Sequence, residues 1–433
     1  MPKKLLVCVT NYEFNKNALV LKNFFREQFE TILIDSSTPG GCAEADIVIP
    51  NRYYPGLWDE AVIQAIRRRA DWLLFIASDV ELIHASLMHQ CIREALEDSR
   101  IQVWTPSVAH HSRASFKSTF NRFSAGARLG GVAEGFCFMA RTSLLREFYP
   151  APKENVFGWH IDVITSMRAH EIGTVAVDDR VIIYHPPQKK EHQINSSAAF
   201  KIGAKHLHKA GFSEATLSRV RQIELHGSKG LTTPPLNKQR SLDLGCGIKP
   251  QDPFKTGNSS GVDLSNPNQS PAINIVDVAT QKLPYPDSSF EYITAFDLLQ
   301  YIPNAIYFNN KPRLCLVELM NEIYRVLKPG GIFASLTPAP SSAEAQDNTI
   351  TSETFRQYFC SPENLALKKG FRGSFLHVHQ SRRSNGKLLT LIRALKEHRP
   401  HQIDSRQIPA TGPTILRSKN TILRNTPQLT LQT

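Results

Sequence analysis

The sequence predicts an α/β protein made of two parallel-sheet units in tandem. The chain has 433 residues, which is more than one ordinary hydrophobic core accommodates. Short runs rich in leucine and β-branched residues alternate with longer helical patterns, which is typical of a parallel sheet with crossover helices. The alternation restarts near residue 241, and this restart indicates a second unit.

The first unit shows the pattern from the amino terminus onward. Its apolar runs have the length of buried strands, and apolar residues at helical spacing separate them. The predicted strands are Leu5–Thr10, Thr31–Asp35, Asp46–Ile49 and Trp72–Ala77, and the predicted helices are Leu19–Phe29 and Trp58–Arg69.

The second unit has its own strand pattern and shares no motif with the first. Its predicted strands are Ser241–Leu244, Ser260–Asp263, Ile273–Val276, Tyr292–Ala295 and Ile332–Leu336. A helical stretch and then a segment containing Gly, Ser and Pro precede it, which favours a domain boundary there. We therefore expect a first domain over 1–215, a linker over 216–238, a second domain over 239–398 and a basic, mobile tail over 399–433.

Charge and cysteine content limit the class of protein. The chain has 51 basic and 39 acidic residues, a formal charge of +12, which favours anionic partners such as phosphate-bearing substrates or a membrane surface. The sequence has no apolar run of about 20 residues, the length of a membrane-spanning helix. Seven scattered cysteines without metal spacing indicate reduced thiols. We expect a cytoplasmic protein with peripheral contact at the inner membrane face.

A glycine-rich turn opens the second unit directly after its first strand. In the run Leu242-Asp243-Leu244-Gly245-Cys246-Gly247, Gly245 and Gly247 allow the backbone to approach a ligand, and Asp243 is placed to take up an amino group. Asp263 ends the next strand, where a carboxylate accepts both hydroxyls of a ribose. The third glycine of the dinucleotide pattern is missing, which favours S-adenosylmethionine over a nicotinamide cofactor.

Two further segments complete the set of motifs in the second unit. Asp277 is placed to accept from an adenine amino group, with Val278 against the ring, and the run Arg325-Val326-Leu327-Lys328-Pro329-Gly330-Gly331 turns from a helix into a strand. Taken in order, these segments resemble class I methyltransferases over the whole second unit, and most closely a branch found beside polysaccharide-biosynthesis enzymes. The resemblance implies a Rossmann-like fold that binds S-adenosylmethionine.

The acceptor base of this methyltransferase-like unit is less well defined. A sugar hydroxyl normally needs a general base within hydrogen-bond reach. The acidic-His pair and the Asp-Pro-Thr-His segment common in that branch are absent here. Asp297 and Asp347 are the substitute candidates, with Tyr301 as a third.

Two carboxylates follow the fourth predicted strand of the first unit. Asp79 and Glu81 have one residue between them, and such oxygen ligands suit Mg²⁺ or Mn²⁺. A metal held there would neutralise a departing nucleotide diphosphate. An Asp-x-Glu triplet alone is more often structural, so the surrounding sequence decides between a structural and a metal-binding role.

That context is a Gly-Phe strand at Gly135–Arg141, a Gly-aromatic turn with an acid at Phe157–Val163, and Tyr184-His185-Pro186 after the last strand. The order is similar to family 2 glycosyltransferases of the GT-A fold. The resemblance implies Asp162 as general base, Asp79 and Glu81 as metal ligands, His185 as a further ligand and Asp35 as a contact to the donor nucleotide. One departure is Ile161, where that family usually has Glu.

The fold class expected is therefore α/β, with two Rossmann-like domains in tandem: GT-A glycosyltransferase-like, then class I methyltransferase. The expected function is transfer of a sugar from a nucleotide-sugar donor, linked to UDP or dTDP, to a glycan or lipid-linked glycan acceptor. S-adenosylmethionine would then methylate a sugar hydroxyl. Two alternatives stay open: a methyltransferase whose first half only binds sugar, and a non-catalytic assembly module. The Asn-Pro-Pro-aromatic run of nucleic-acid methyltransferases is absent, so we expect no specific nucleic-acid partner.

Overall fold

The structure is a computed structural model, and it describes residues 3–187, 196–309, 311–338 and 352–396. The expected tail over 399–433 lies outside the described residues. Within them, one large sheet forms in each half of the chain, beside a separate two-stranded hairpin, so the expected α/β class with two sheet units is confirmed.

The first sheet is built from residues up to Tyr184. Its strands are β1 (Leu5–Asn11), β2 (Glu30–Asp35), β3 (Ile47–Val48), β4 (Trp72–Ala77), β5 (Glu81–His84), β6 (Ile101–Val108), β7 (Ala127–Leu129), β8 (Cys137–Arg141) and β9 (Thr174–Tyr184). The helices of this half are α1 (Asn15–Arg26), α2 (Tyr53–Arg67), α3 (Met88–Glu97), α4 (Thr142–Arg146), α5 (Ile161–Ile172), α6 (Ser196–Lys209) and α7 (Glu214–Ser228).

The first sheet is parallel on one side and mixed on the other. Its order is β3-β2-β1-β4-β8-β6-β9-β5, with β7 paired to β9. The four predicted strands β1 to β4 are mutually parallel, and β1 is buried along its whole length, as expected for a strand covered on both faces. Strand β8 runs antiparallel to β4 and β6, a reversal that the apolar pattern did not predict.

The second sheet consists of parallel strands and, at one edge, antiparallel strands. The elements of the second half are β10 (Ser241–Leu244), β11 (Ser259–Asp263), β12 (Ile273–Ile275), β13 (Phe290–Phe296), the separate hairpin β14 (Ile306–Phe308) and β15 (Lys311–Arg313), α8 (Cys315–Val326), β16 (Leu327–Pro338), α9 (Ser352–Thr354), β17 (Phe375–Arg382) and β18 (Lys387–Ala394). The sheet order is β12-β11-β10-β13-β16-β18-β17, and β18 is antiparallel to both neighbours.

The crossovers between the first four strands of this sheet are made without helices. Residues 245–289, all of which the structure describes, contain turns and two short strands only. Parallel strands are usually joined through a helix, and helices normally cover both faces of such a sheet. Helix α8 packs on one face, so the opposite face needs another cover.

The first unit supplies much of that cover. Apolar side chains on this face, which include Tyr292, Ile332, Leu336 and Leu391, form one cluster with Phe123 and Ala125 of the first unit. Burial stabilises each large apolar side chain by about 2 kcal/mol. The two units therefore share one core.

Hydrogen bonds fix this contact. The hydroxyl of Tyr292 accepts from the amide of Ala125 at 3.0 Å. The buried Arg393 of β18 donates to the carbonyl oxygens of Ser124 (3.1 Å) and Gly330 (2.7 Å). The Ser124 amide in turn donates to Asp179 at 3.2 Å, a carboxylate held by the buried Arg128 at 3.0 Å. An internal ion pair thus anchors the segment on which the second unit rests.

The segment between the two sheets packs on the first unit. Ser213 caps α7 by accepting from the amide of Thr216 at 3.2 Å. Glu224 of this helix then accepts from the amide of Ser118 at 3.1 Å. The amide of Leu129 donates to the carbonyl of Pro234 at 2.9 Å. The linker expected over 216–238 thus includes most of helix α7 and the segment around Pro234, and both pack against the first unit.

The carboxyl ends of both sheets face the same side of the molecule. The starts of β6, β13 and β16 line one cavity of about 400 Å³ between the units, through Ile101, Glu291 and Lys328. Beyond the end of β6, the ring of His110 lies 6.3 Å from the ring of Phe123. The Phe123 ring in turn lies 5.3 Å from the ring of His379. His379 is level with the middle of β16 in the second sheet. Going from the start of β6 to its end therefore follows the direction of β16.

We predict that Arg393→Met lowers the free energy of unfolding by about 3 kcal/mol, because two buried carbonyl oxygens lose their donor. Urea denaturation followed by tryptophan fluorescence measures this change. Arg382→Met, an exposed change on the neighbouring strand, is the control. Equal stability of the two variants would contradict the assigned role of Arg393.

Candidate active sites

The first candidate site lies at the carboxyl ends of β4 and β9. Asp79 follows β4 in a tight turn that Asn17 holds by donating to the carbonyls of Ser78 (2.7 Å) and Val80 (2.8 Å). Asp79 Oδ2 lies 3.2 Å from Nε2 of His185, which follows β9. Residues 106 positions apart in sequence are therefore in contact.

The hydrogen-bond partner of the second ring nitrogen of His185, Nδ1, shows where the ring carries a proton. Nδ1 lies 2.9 Å from the carbonyl oxygen of Arg113, and a carbonyl only accepts, so Nδ1 carries a proton. Nε2 then faces Asp79 either as a donor or as a lone pair that needs a cation between the two groups. Burial alone would lower the pKa of His185, but the hydrogen bond and charge of Asp79 outweigh it and raise the pKa above its ordinary value.

Of the three predicted metal ligands, the structure brings only Asp79 and His185 together. The second oxygen of Asp79, Oδ1, is buried and has no hydrogen-bond partner in the described structure, so Asp79 and His185 together fit a divalent cation. Glu81 is exposed and is the register partner of Tyr184 on β9. Among the described residues, no group of three or more His, Cys, Asp or Glu side chains is arranged to hold a metal ion.

Asp162 lies at the start of α5, where a helix favours a carboxylate. Its oxygens accept from the amides of Val163 (2.8 Å) and Gly135 (3.1 Å). Burial raises the pKa of Asp162 to about 6, against the opposing effect of these amides. A carboxyl group with such a pKa is suited to act as a base near neutral pH.

Two residues near Asp162 were not predicted from the sequence. A methyl group at Gly135 would lie 3.1 Å from the Tyr54 hydroxyl and 3.2 Å from Asp162 Oδ2, so all three meet at one point. Within the described residues, that hydroxyl is buried without a hydrogen-bond partner. Glu134 is also buried, which raises its pKa to about 8. A charge inside the apolar run from Val132 to Ala140 was the available signal for Glu134.

Asp35 is held internally. It ends β2 as expected, but its carboxylate accepts from Asn11 Nδ2 (2.7 Å) and from the hydroxyl and amide of Thr38 (2.5 and 2.9 Å). With 1% of its surface exposed, it braces the loop after β2. Its contact to a donor nucleotide stays a prediction.

The second candidate site surrounds the glycine-rich turn after β10. Gly245 and Gly247 have φ angles of +70° and +60°, which a residue with a side chain rarely adopts. The Gly247 amide donates to Asp263 Oδ2 at 2.8 Å, so Asp263 lies beside the turn at the end of β11. The structure thus brings these three predicted residues together.

The other predicted cofactor residues are bonded within the fold. Asp243 accepts from Thr294 Oγ1 (2.6 Å) and the Gln251 amide (2.8 Å), and burial raises its pKa to about 6. Asp277 accepts from the hydroxyl of Thr280 (2.7 Å), and Val278 packs on the core beside it. Asp243 therefore ties the loop to the sheet rather than presenting a free carboxylate.

Asp297 is the best placed of the candidate acceptor bases. It follows β13 with a φ of +56°, a costly conformation for a residue other than glycine. Its Oδ2 lies 2.7 Å from Lys387 Nζ, whereas its buried Oδ1 has no partner in the described part of the chain. Tyr301 is exposed, and Asp347 lies outside the described residues.

Comparison with known proteins identifies the second half. A family model described as a methyltransferase domain matches residues 242–335. A sterol 4-C-methyltransferase of Caenorhabditis elegans is 33% identical over 104 residues, 24% of this chain. The match spans only 28% of the length of that relative.

Solved structures resemble each half at low sequence identity. A mannosyltransferase from Pyrobaculum calidifontis, in complex with GDP-Man and Mn²⁺, covers 52% of this chain and 72% of its own, with 13% identity and a TM-score of 0.37. Staphylococcus aureus TarS (residues 1–349) covers 52% and 71%, with 15% identity and a TM-score of 0.38. An S-adenosylmethionine-dependent methyltransferase from Mesorhizobium loti covers 37% and 93%, with 18% identity and a TM-score of 0.23.

No helix in the described part of the chain is long and apolar enough to cross a membrane.

The family match starts in β10, contains the glycine-rich turn and Asp263, and ends within β16. The second half of this chain therefore contains a methyltransferase domain.

Proposed function

We propose that the chain is a bifunctional glycan-biosynthesis enzyme. The first site transfers a sugar from a nucleotide-sugar donor to a hydroxyl of a glycan or lipid-linked glycan. The second site methylates a sugar hydroxyl with S-adenosylmethionine. The observation that carries the proposal for the first site is that Asp162, with its pKa of about 6, and the Asp79–His185 pair contact adjacent residues before β8. The Gly135 amide donates to Asp162 and the Phe136 ring stacks on His185.

In the sugar transfer, Asp162 takes the proton of the acceptor hydroxyl. The hydroxyl oxygen forms a bond to the anomeric carbon as the bond to the nucleotide diphosphate breaks, which inverts the anomeric centre. The Tyr54 hydroxyl, which has no hydrogen-bond partner among the described residues, is available to orient the acceptor. Asp79 and His185 would hold Mg²⁺ or Mn²⁺, which when bound neutralises charge on the departing diphosphate.

In the methyl transfer, the turn of Gly245 and Gly247 and the carboxylate of Asp263 bind the cofactor. S-adenosylmethionine supplies an electrophilic methyl group on a sulfonium centre. The oxygen of the acceptor hydroxyl would form a bond to the methyl carbon as the sulfonium–methyl bond breaks and S-adenosylhomocysteine leaves. The hydroxyl proton would pass to Asp297 Oδ1, which has no partner among the described residues. Lys387 holds the other oxygen of that carboxylate and so fixes its orientation.

The shared core supports the use of one acceptor by both sites. Both sites lie at the carboxyl ends of parallel strands that run in the same direction, and a buried contact joins the two units. A product released from one site is therefore at a high effective concentration near the other. The excess of basic residues suits an anionic acceptor, such as one linked to a lipid diphosphate.

A specific observation favours a second candidate function. Glu81 is exposed and does not join Asp79 and His185, so the first unit has a smaller ligand set than expected. The chain would then be a methyltransferase whose first unit binds sugar without transferring it. Titration calorimetry with UDP and Mn²⁺, and separately with S-adenosylhomocysteine, distinguishes the two. Binding of S-adenosylhomocysteine alone would select the second candidate.

We predict that Asp162→Asn reduces hydrolysis of UDP-sugars in the presence of Mn²⁺ by about 10²–10⁴-fold, because the base is lost. UDP affinity is expected to stay unchanged. In the wild type, hydrolysis should increase with pH around pH 6, since Asp162 acts as a base only when ionised. Glu97→Gln, an exposed carboxylate of α3, is the control. A pH profile that is flat between 5 and 8 would contradict this role of Asp162.

We predict that Asp263→Ala weakens S-adenosylhomocysteine binding by about tenfold or more, because hydrogen bonds to the ribose are worth ~1.5 kcal/mol. The substitution also frees the Gly247 amide. Calorimetry measures the affinity, and Asp287→Ala, an exposed carboxylate of the same unit, is the matched control. Unchanged binding in Asp263→Ala would show that the cofactor lies elsewhere.

We predict that Asp297→Asn slows methyl transfer to a glycan acceptor pool by about 10²-fold or more, because the hydroxyl loses its base. Transfer is followed with a radiolabelled methyl group. The affinity for S-adenosylhomocysteine should not change, since Asp297 is assigned to the acceptor. Loss of cofactor affinity without a slower rate at saturation would assign Asp297 to the cofactor site.

A further inference from the structure

Three consecutive residues before β8 each contact a different part of the first site. Glu134 Oε1 accepts from the amides of Ser115 (2.6 Å) and Phe116 (2.8 Å). The Gly135 amide donates to Asp162 Oδ2. The Phe136 ring stacks on the imidazole of His185, with centroids 4.1 Å apart and an angle of 15° between planes. The contacts to Asp162 and to His185 are thus built from neighbouring residues.

The loop held by Glu134 also controls His185. The Arg113 carbonyl accepts from His185 Nδ1, and the Arg113 amide donates to the His185 carbonyl at 2.9 Å. Arg113 is only two residues before the first amide that Glu134 holds. Backbone geometry over so short a span is stiff, so anchoring Ser115 limits where the Arg113 carbonyl can lie.

We propose that Glu134 is a positioning residue that fixes the ring orientation and tautomer of His185. It acts through the amides of Ser115 and Phe116 and the carbonyl of Arg113. With Nδ1 protonated and held by that carbonyl, Nε2 is the ring atom that faces the Asp79 carboxylate. Its lone pair would become available to the cation of the proposed sugar transfer when that cation displaces the Nε2 proton. This inference rests on the proposed function for its consequence, but not for the contact chain itself.

The chemistry of Glu134 makes glutamine a matched substitution that keeps the acceptor oxygen of this side chain. Its carboxyl group is 5% exposed, and burial raises its pKa to about 8, so the neutral acid prevails at pH 7. A glutamine has the same length and a carbonyl oxygen that accepts the same two amides. Glu134→Gln should therefore preserve the position of the loop, whereas Glu134→Ala removes the acceptor.

Two measurements test the proposal. The tautomer of His185 is read from ¹⁵N shifts of histidine-labelled protein at a pH above the raised pKa of His185, where the ring is neutral, with His185→Gln to assign the signal. Mn²⁺ affinity in the presence of UDP is measured by electron paramagnetic resonance. We expect Glu134→Ala to convert His185 to a mixture of tautomers and to weaken Mn²⁺ binding by about tenfold. Glu134→Gln should behave as the wild type in both.

Asp59→Ala is the control for a general loss of packing. The Asp59 carboxylate also holds one loop amide, that of Ala151 at 2.7 Å, and burial raises its pKa as well. Within the described residues, the hydrogen bond of Asp59 goes to Ala151 and not to the Glu134 segment, so the His185 signal should not change. If Glu134→Ala does not fold, Glu134→Asp, too short to reach both amides, replaces it.

The outcomes separate this inference from the proposed function. An unchanged His185 tautomer in Glu134→Ala, or the same change in Asp59→Ala, would overturn the inference. A tautomer that changes as expected, in a protein that binds neither Mn²⁺ nor UDP, would support the positioning role and overturn metal-assisted sugar transfer.

Discussion

The face of the second sheet that lacks helices determines how the rest of the molecule is arranged. A parallel sheet is stable when both faces are covered, and the crossovers over 245–289 supply no helix. Part of the cover comes from the loop itself, where Phe254 stacks on Tyr292 at 4.1 Å. The remainder comes from Phe123 and Ala125 of the first unit. Two units that the sequence pattern separates are in consequence one folded body.

Hydrogen bonding separates four of the acidic candidates into two groups. Asp35 and Asp243 have both carboxylate oxygens bonded within the fold, and such groups brace loops next to a site. Asp79 and Asp297 each have one buried oxygen without a partner in the described structure. An unsatisfied buried acceptor is costly, so these two positions are the stronger candidates for contact with a ligand or proton.

Much of the parallel part of each sheet could be predicted, because a fully buried strand produces a local apolar run. The bounds of β4 and β10 agree with prediction, and those of β1 and β11 differ by one residue. Features that depend on distant residues could not be predicted. The reversed β8 and the missing crossover helices are examples, whereas the proximity of Asp79 and His185 was expected from the family resemblance.

The candidate sites follow the same division. Gly247 and Asp263 are adjacent because strand ends of a parallel sheet meet at one edge, and this rule is available from sequence. Glu134 and Tyr54 were missed, since their role depends on a backbone amide or carboxylate brought from elsewhere in the chain. A single charge within an apolar run was the only local indication of Glu134.

The shared core also has a consequence for the inheritance of this gene. Separating the halves would leave the second sheet with Ile332, Leu336 and Leu391 in water, a patch prone to aggregation. Recombination at the segment between the units would therefore yield a foldable methyltransferase only if helices were inserted into the 245–289 crossovers at the same time. Selection is expected to transmit the two halves together.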